Sequence, residues 1–428
     1  MSDSESPWVK GLRAVANLKD LDKRINVVPE ERVCWSKINE FNAAAAVQRI
    51  LSKCYVPGES SKDAISKILS LALDNCMANF SSTHAFSLRV NSAKLSTQPA
   101  PVVCLTGLAG VGKSAVFDVI QRLVASLPDI AIKSHGRVEH MPISRIQVHD
   151  RWSVKEMAMH FGLPERGCDI ARALYRRGCC LIELDEIQFI STSALANTRA
   201  SKLIYSTSLY GPALVYACNF SLGHKLKKRP HEERDRILSS PIVICPDLAE
   251  SSEWKERVRV WSAVIGDLLD SPLTDRSEDL WELVVGINRS AISLIALSSA
   301  LAVANKSKLK WAHVEAAYKS EAFSIMRDDI AGIRRQSIER DVSRLDLVCP
   351  FESAGAADYL DVLRKMRRSR YSETAGIEAQ TKSVKLDAQK KSRKGAERSK
   401  RTLKPVNATE LMQAADEFRD EVRLGRRR

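Results

Sequence analysis

No run of about eighteen apolar residues occurs anywhere in the 428-residue chain, so no helix is expected to span a membrane. The opening stretch, MSDSESPWVKG, lacks the apolar centre of a secretory signal, and a cytoplasmic location is expected. The ten cysteines form no CxxC pair, and Cys104, Cys179, Cys180 and Cys218 sit inside apolar runs. They read as small buried hydrophobes rather than a disulfide framework or a zinc site, which fits a reducing compartment. The eight histidines, among them His135, His140, His149 and His160, show no metal-ligand spacing such as HExxH and read as surface or helix residues. No internal repeat is present, so a solenoid is not expected. Net positive charge is also small over most of the chain. Arg364 to Lys404 holds fifteen Lys and Arg against four Asp and Glu, and so carries +11 of the net +14. The first 363 residues are nearly neutral, and the high isoelectric point alone does not make the body a nucleic-acid binder.

What is present is sharpest at Pro101 to Val116, PVVCLTGLAGVGKSAV. A β-branched run leads into Gly107, Leu108, Ala109, Gly110, Val111, Gly112, Lys113, Ser114 and Ala115, the full phosphate-loop pattern, and an amphipathic helix follows. Glycines there let backbone N–H groups approach phosphate oxygens at a helix N-terminus. Lys113 is placed to reach β- and γ-phosphates, and Ser114 to ligate Mg²⁺. ATP and Mg²⁺ are therefore the expected ligands.

The surrounding chain alternates strand and helix. Strands are expected at Val102–Leu105, Ile143–His149, Cys179–Leu184, Ala213–Cys218 and Pro241–Cys245, with helices between them. That pattern predicts an α/β fold with a five-stranded parallel sheet covered on both faces. Residues 98–247 make this core. Residues 1–97 read as a helical N-terminal extension, with helices at Trp35–Leu51 and Ser61–Met77, a possible strand at His84–Val90, and a first thirty residues resembling a partner-docking arm. Residues 248–345 read as a helical lid, with Trp254, Trp261, Trp281 and Trp311 in its core. Residues 346–428 read as a basic, mostly disordered tail that ends in an amphipathic stretch, Asn407–Arg423.

Further chemistry falls at the C-terminal ends of the expected strands, where ligands of such sheets bind. CCLIELDEIQ delivers Asp185 as a metal holder and Glu186 as the base for an attacking water. ALVYACN ends in Asn219, which can hydrogen-bond the γ-phosphate or the water. RPHEERDRIL lies just before the last strand, and Arg234 and Arg236 fall where ring-forming ATPases present an arginine to the neighbouring subunit's γ-phosphate. Gly286-Ile287-Asn288-Arg289 opens a lid helix, from which Arg289 could contact nucleotide in its own subunit. Lys133, Arg137, Arg145, Arg151 and Lys155 flank the second strand, on the side where ring-forming ATPases of this kind line their pore, and on that likeness are candidates for sequence-independent contacts with duplex DNA.

GLAGVGKS, LIELDEIQ, YACNFSLGHKL with RPHEERDRILSSPIVICPD, and the WAHVEAAYKSEAF lid helix together resemble the AAA+ ATPases. Within them the chain is most similar to the transposition regulators of the TnsC, TniB and MuB group, and to TnsC above the others. The resemblance covers about Pro101 to Asp329. It implies an ATP-hydrolysing homo-oligomer, ring or helical filament, around double-stranded DNA. It also implies that the oligomer links a target-selection protein to a transposase. A replication initiator or helicase loader is the competing expectation. The region after Ser343 lacks the helix–turn–helix periodicity that initiators usually append there.

Overall fold

The structure is a computed structural model. The chain divides into two units, residues 1–364 and 365–428. The structure describes residues 5–17, 21–92, 99–132, 136–149, 154–162, 169–188, 196–339 and 344–366. The amphipathic stretch at 407–423 and nearly all of the basic tail lie outside the described residues.

Among the described residues, the extension holds five α-helices. α1 (Pro7–Ala16) and α2 (Leu21–Ile25) are followed by α3 (Ala43–Leu51), α4 (Glu59–Asn79) and α5 (Thr83–Val90). The helix expected over Trp35–Leu51 is broken, because two asparagines offer the backbone a local alternative. Asn39 Oδ1 accepts from the N–H groups of Phe41 and Asn42, and Asn42 Oδ1 accepts from Asn39 N–H. His84–Val90 is helical rather than extended. Ser82 caps α5 by accepting from Ala85 N–H, and Phe86 and Val90, four apart, bury one face. α1 does not stand off as an arm. Trp8 is fully buried, 4.7 Å from Phe86 and 5.6 Å from Phe80, and Tyr175 stacks on both phenylalanines.

The core starts with β1 (Val102–Gly107) and α6 (Lys113–Val124). β2 (Ile130–Ile132) and β3 (Gly136–Val138) form a small antiparallel hairpin. β4 (Ile143–Gln147), α7 (Val154–His160), α8 (Ile170–Arg176), β5 (Leu181–Asp185), α9 (Ala196–Ser208), β6 (Ala213–Cys218), α10 (Phe220–Lys227), α11 (His231–Ile237) and β7 (Ile242–Ile244) follow. The main sheet has five strands in the order β4-β5-β6-β1-β7, and every pairing is parallel. β5 and β6 are buried at every position, as a parallel sheet covered on both faces requires. Their order sets β1 between β6 and β7 and brings the ends of β1, β5 and β6 to one rim.

The lid consists of α12 (Ser252–Val264), α13 (Ser277–Val284), α14 (Asn288–Ala304), α15 (Trp311–Lys319) and α16 (Ser324–Glu339). Trp254, Trp261 and Trp281 are buried in it, as expected, whereas Trp311 is half-buried with Arg276 stacked 5.2 Å from its ring. Order continues past Pro350, with the chain helical again from residue 354. Tyr359 is buried there and donates its hydroxyl to the Val285 carbonyl at 2.7 Å. Among the described residues, no single helix is long and apolar enough to cross a membrane.

Candidate functional site

The loop after β1 depends on backbone conformations that side chains resist. Gly110 has φ +79° and Gly112 has φ +119°, and Gly112 serves as the N-cap of α6. Leu108 and Val111 turn inward and are nearly buried, which anchors the loop between them. Lys113 Nζ lies within the loop and donates to the Gly107 carbonyl at 2.9 Å and to the Leu108 carbonyl at 3.0 Å. Burial pushes the Lys113 ammonium below the ordinary lysine range, while the Glu186 and Asp185 carboxylates oppose that shift.

The end of β5 is tied to the start of α6. Ser114 Oγ donates to Asp185 Oδ1 at 3.3 Å, and Glu186 N–H donates to the same oxygen at 2.9 Å. Asp185 Oδ2 is 2.6 Å from an Arg145 guanidinium nitrogen, and the other end of that fork contacts Asp118. Two residues before Asp185, the fully buried Glu183 accepts from Gln121 at 2.8 Å, and burial pushes its carboxyl up to about 8. Glu186 has φ +58°, a rare conformation for a residue with a side chain and a form of backbone strain concentrated at functional sites. Gln188 donates its amide to the Glu186 carboxylate. At the end of β6, Asn219 Oδ1 caps α10, accepting from Leu222 N–H at 3.1 Å and from Ser221 Oγ at 2.9 Å. Its amide remains as the donor for a ligand.

The lid closes directly on this loop. Arg289 N–H donates to the Gly110 carbonyl at 3.2 Å, and Asn288 Nδ2 donates to the Val111 carbonyl at 3.2 Å. Asn288 Oδ1 is buried and has no protein partner. A cavity of about 400 Å³ gathers Ala109, Gly110, Gly112, Lys113, Ser114, Ala115, Glu186, Asn219 and Arg289. A volume of this size is in the range of small-molecule sites. Five of its wall residues are ones the sequence reading missed: Gln48, Ser52, Cys54, Tyr55 and Val56, all from the extension. Arg257 holds that wall in place. It is buried, pairs with Asp247 at 2.5 Å, and donates to the Val56 carbonyl at 2.6 and 3.2 Å. Asn288, also missed, directly precedes Arg289, and its position in that turn was the available signal.

This is the P-loop fold with a helical lid. The donor set suits a nucleoside triphosphate with a hard divalent cation. It offers loop N–H groups, one ammonium, one hydroxyl and one carboxylate on the cation side, and an arginine from the lid. Arg234 and Arg236 lie outside this cavity. Arg234 is 3.7 Å from Asp235, and Arg236 is over the Tyr205 ring at 5.5 Å, in a separate cavity between α9 and α11.

The predicted DNA contacts are not gathered in the same way. Arg137 is on β3, well exposed and paired with Asp129 at 3.0 Å. Lys155 is on α7, while Lys133 and Arg151 lie outside the described residues. Arg145, also a candidate DNA contact, directs its guanidinium to Asp118 and Asp185. Its strand neighbour in register is Glu183, and two carboxylates far away in sequence claim its guanidinium.

No family model matches the sequence, and no curated protein does. Solved structures with a similar course of chain include the Aeropyrum pernix ORC1 protein in complex with DNA. It is 18% identical over 73% of this chain and 80% of that one, with a TM-score of 0.43. A Walker-type ATPase of Pyrococcus abyssi is 14% identical over 56% and 72% of the two chains, with a TM-score of 0.35. The Thermotoga maritima RuvB Holliday junction branch migration motor is 16% identical over 60% and 74%, with a TM-score of 0.34. Likeness at this level fixes no activity, partner or substrate for this chain.

Proposed function

We propose that the protein is an AAA+-type ATPase that assembles on duplex DNA as a ring or filament and regulates DNA transposition. In this reading it links a target-selection protein to a transposase, and ATP hydrolysis drives disassembly. The observation that carries the ATPase part is the convergence of Lys113, Ser114, Glu186, Asn219 and Arg289 on one cavity, with Asp185 bonded to Ser114 at its edge. The loop N–H groups and Lys113 hold the phosphates. Ser114 and Asp185 would hold Mg²⁺, which supplies charge neutralisation at the β- and γ-oxygens when bound. Glu186 accepts the proton of the attacking water, and Asn219 orients that water or the γ-phosphate. Arg289 reports the nucleotide state to α14, because its own backbone is bonded to the loop.

Arg234 and Arg236 support the oligomer part. Both are on α11 and neither lines the cavity of its own chain, so they are available to a neighbour's. Duplex DNA, the transposase and the target-selection protein enter through the sequence resemblance to TnsC-type regulators. Electron micrographs of the protein with and without ATP and duplex DNA test the assembly. Rings or filaments that need both components are expected. Particles that stay monomeric under all four conditions would refute it.

A further inference from the structure

The residue left over from this reading is Arg145. It was expected at a DNA surface, yet it reaches into the rim of the nucleotide site. Asp185 is nearly enclosed, its side chain 3% exposed, and its oxygens are already engaged. Oδ1 takes the Ser114 hydroxyl and the Glu186 N–H, and Oδ2 takes Arg145 at 2.6 Å. Arginine stays protonated at any accessible pH, so this is a permanent positive charge on the carboxylate proposed to hold the metal. The guanidinium is further fixed by Asp118 at its other end and by the Phe117 ring, 5.7 Å from Arg145 Cζ. Asp118 is on α6, one turn beyond Ser114, and its side chain is two-thirds exposed.

We infer that Arg145 is a positioning residue that competes with the divalent cation for Asp185, so that the metal enters only together with the nucleotide's phosphates. The inference rests on the ATP and Mg²⁺ reading above. A hard dication beside Ser114 would face a guanidinium a few ångströms away, and the like charges repel. The triphosphate reverses the balance by adding several negative charges to the same rim. The forked guanidinium then has somewhere to stay. It can release Asp185 while keeping Asp118, so the charge moves aside without leaving the site. Arg145 thereby sets how strongly nucleotide binding and metal binding depend on one another.

The experiment measures the affinity of a fluorescent ATP analogue by anisotropy, once in excess EDTA and once in Mg²⁺. The ratio of the two dissociation constants is the metal–nucleotide coupling. Arg145→Gln keeps a polar side chain of similar reach and removes the charge. Its coupling ratio is expected to fall at least ~10-fold below wild type, within the usual span of such couplings, because the metal then reaches Asp185 without the nucleotide's help. Arg145→Lys keeps the charge, and its ratio is expected near wild type. In an Asp185→Asn background, adding Arg145→Gln should leave the ratio unchanged. An unchanged or larger ratio in Arg145→Gln would overturn the inference, as would a fall of equal size in Arg145→Lys. Circular dichroism and thermal melts in EDTA accompany each variant. If Arg145→Gln is unfolded, the Arg145→Lys ratio decides: a shift of tenfold or more overturns charge competition, and a wild-type ratio upholds it. Failure of the wild-type protein to bind the analogue under either condition would instead refute the nucleotide reading itself.

Discussion

Replacing Arg257 by methionine tests whether the N-terminal extension is a working wall of the nucleotide site. Arg257 is 4% exposed and links three parts of the chain. It is on lid helix α12, pairs with Asp247 at the end of the core, and donates twice to the Val56 carbonyl in the extension. Methionine fills similar volume but leaves the enclosed Asp247 carboxylate and the Val56 oxygen without a donor. Breaking one partner of a buried ion pair costs about 3–5 kcal/mol, a large part of the roughly 5–15 kcal/mol that holds a typical domain. Urea unfolding should therefore show a loss of that size for Arg257→Met. The double variant Asp247→Asn with Arg257→Met should recover about 2 kcal/mol or more, because the stranded charge is gone. The double variant still lacks the bond to Val56, which with Tyr55 borders the cavity. Its nucleotide affinity should stay about 5-fold or more below wild type, roughly 1 kcal/mol. A single variant that costs under about 1 kcal/mol and binds nucleotide as wild type does would refute the reasoning.

Three further outcomes are expected. Gly110→Ala places a Cβ 2.6 Å from Arg289 Cβ at a φ of +79°, so it should weaken nucleotide binding at least ~10-fold while the protein remains folded; calorimetric titration and far-UV circular dichroism check both parts. Tyr359→Phe removes the hydroxyl that donates to Val285 and should lower stability by about 1 kcal/mol in denaturant melts; no change would mean that the segment after Pro350 contributes nothing to the lid. Mixing Lys113→Ala protein with Arg234→Ala/Arg236→Ala protein should restore hydrolysis that each lacks alone, because hybrid interfaces combine one intact loop with one intact arginine pair. Flat, unrestored activity in a phosphate-release assay would exclude a trans role for both arginines.

The parts of the site that could be read from sequence were those where local pattern and chemistry coincide. The apolar runs ending at Leu184 and Cys218 are each followed by a polar residue, Asp185 and Asn219, so strand end and polar residue mark the rim together. What could not be read depends on contacts between distant segments. Arg257 and Val56 are 201 residues apart, and the carboxylates on Arg145 come from α6 and β5. A basic residue beside a strand looks the same in sequence whether it faces DNA or an acid. HAFSLRV illustrates a different limit, since seven residues with four apolar ones suit either a strand or two helical turns. The Ser82 cap and the aromatic cluster around Trp8 decide it for helix. The broken helix before α3 turns on two asparagines three apart, whose mutual bonding with the backbone competes with helix continuation.

The most direct test of the account concerns Glu186, held at φ +58° on the rim between Asp185 and Gln188. Phosphate release and nucleotide binding should be measured side by side for wild type and Glu186→Gln, with duplex DNA present. The account predicts that Glu186→Gln binds ATP as wild type does but hydrolyses it at least ~10²-fold more slowly, and that its DNA-bound assemblies last correspondingly longer. Hydrolysis at the wild-type rate by a variant that still binds ATP would contradict it.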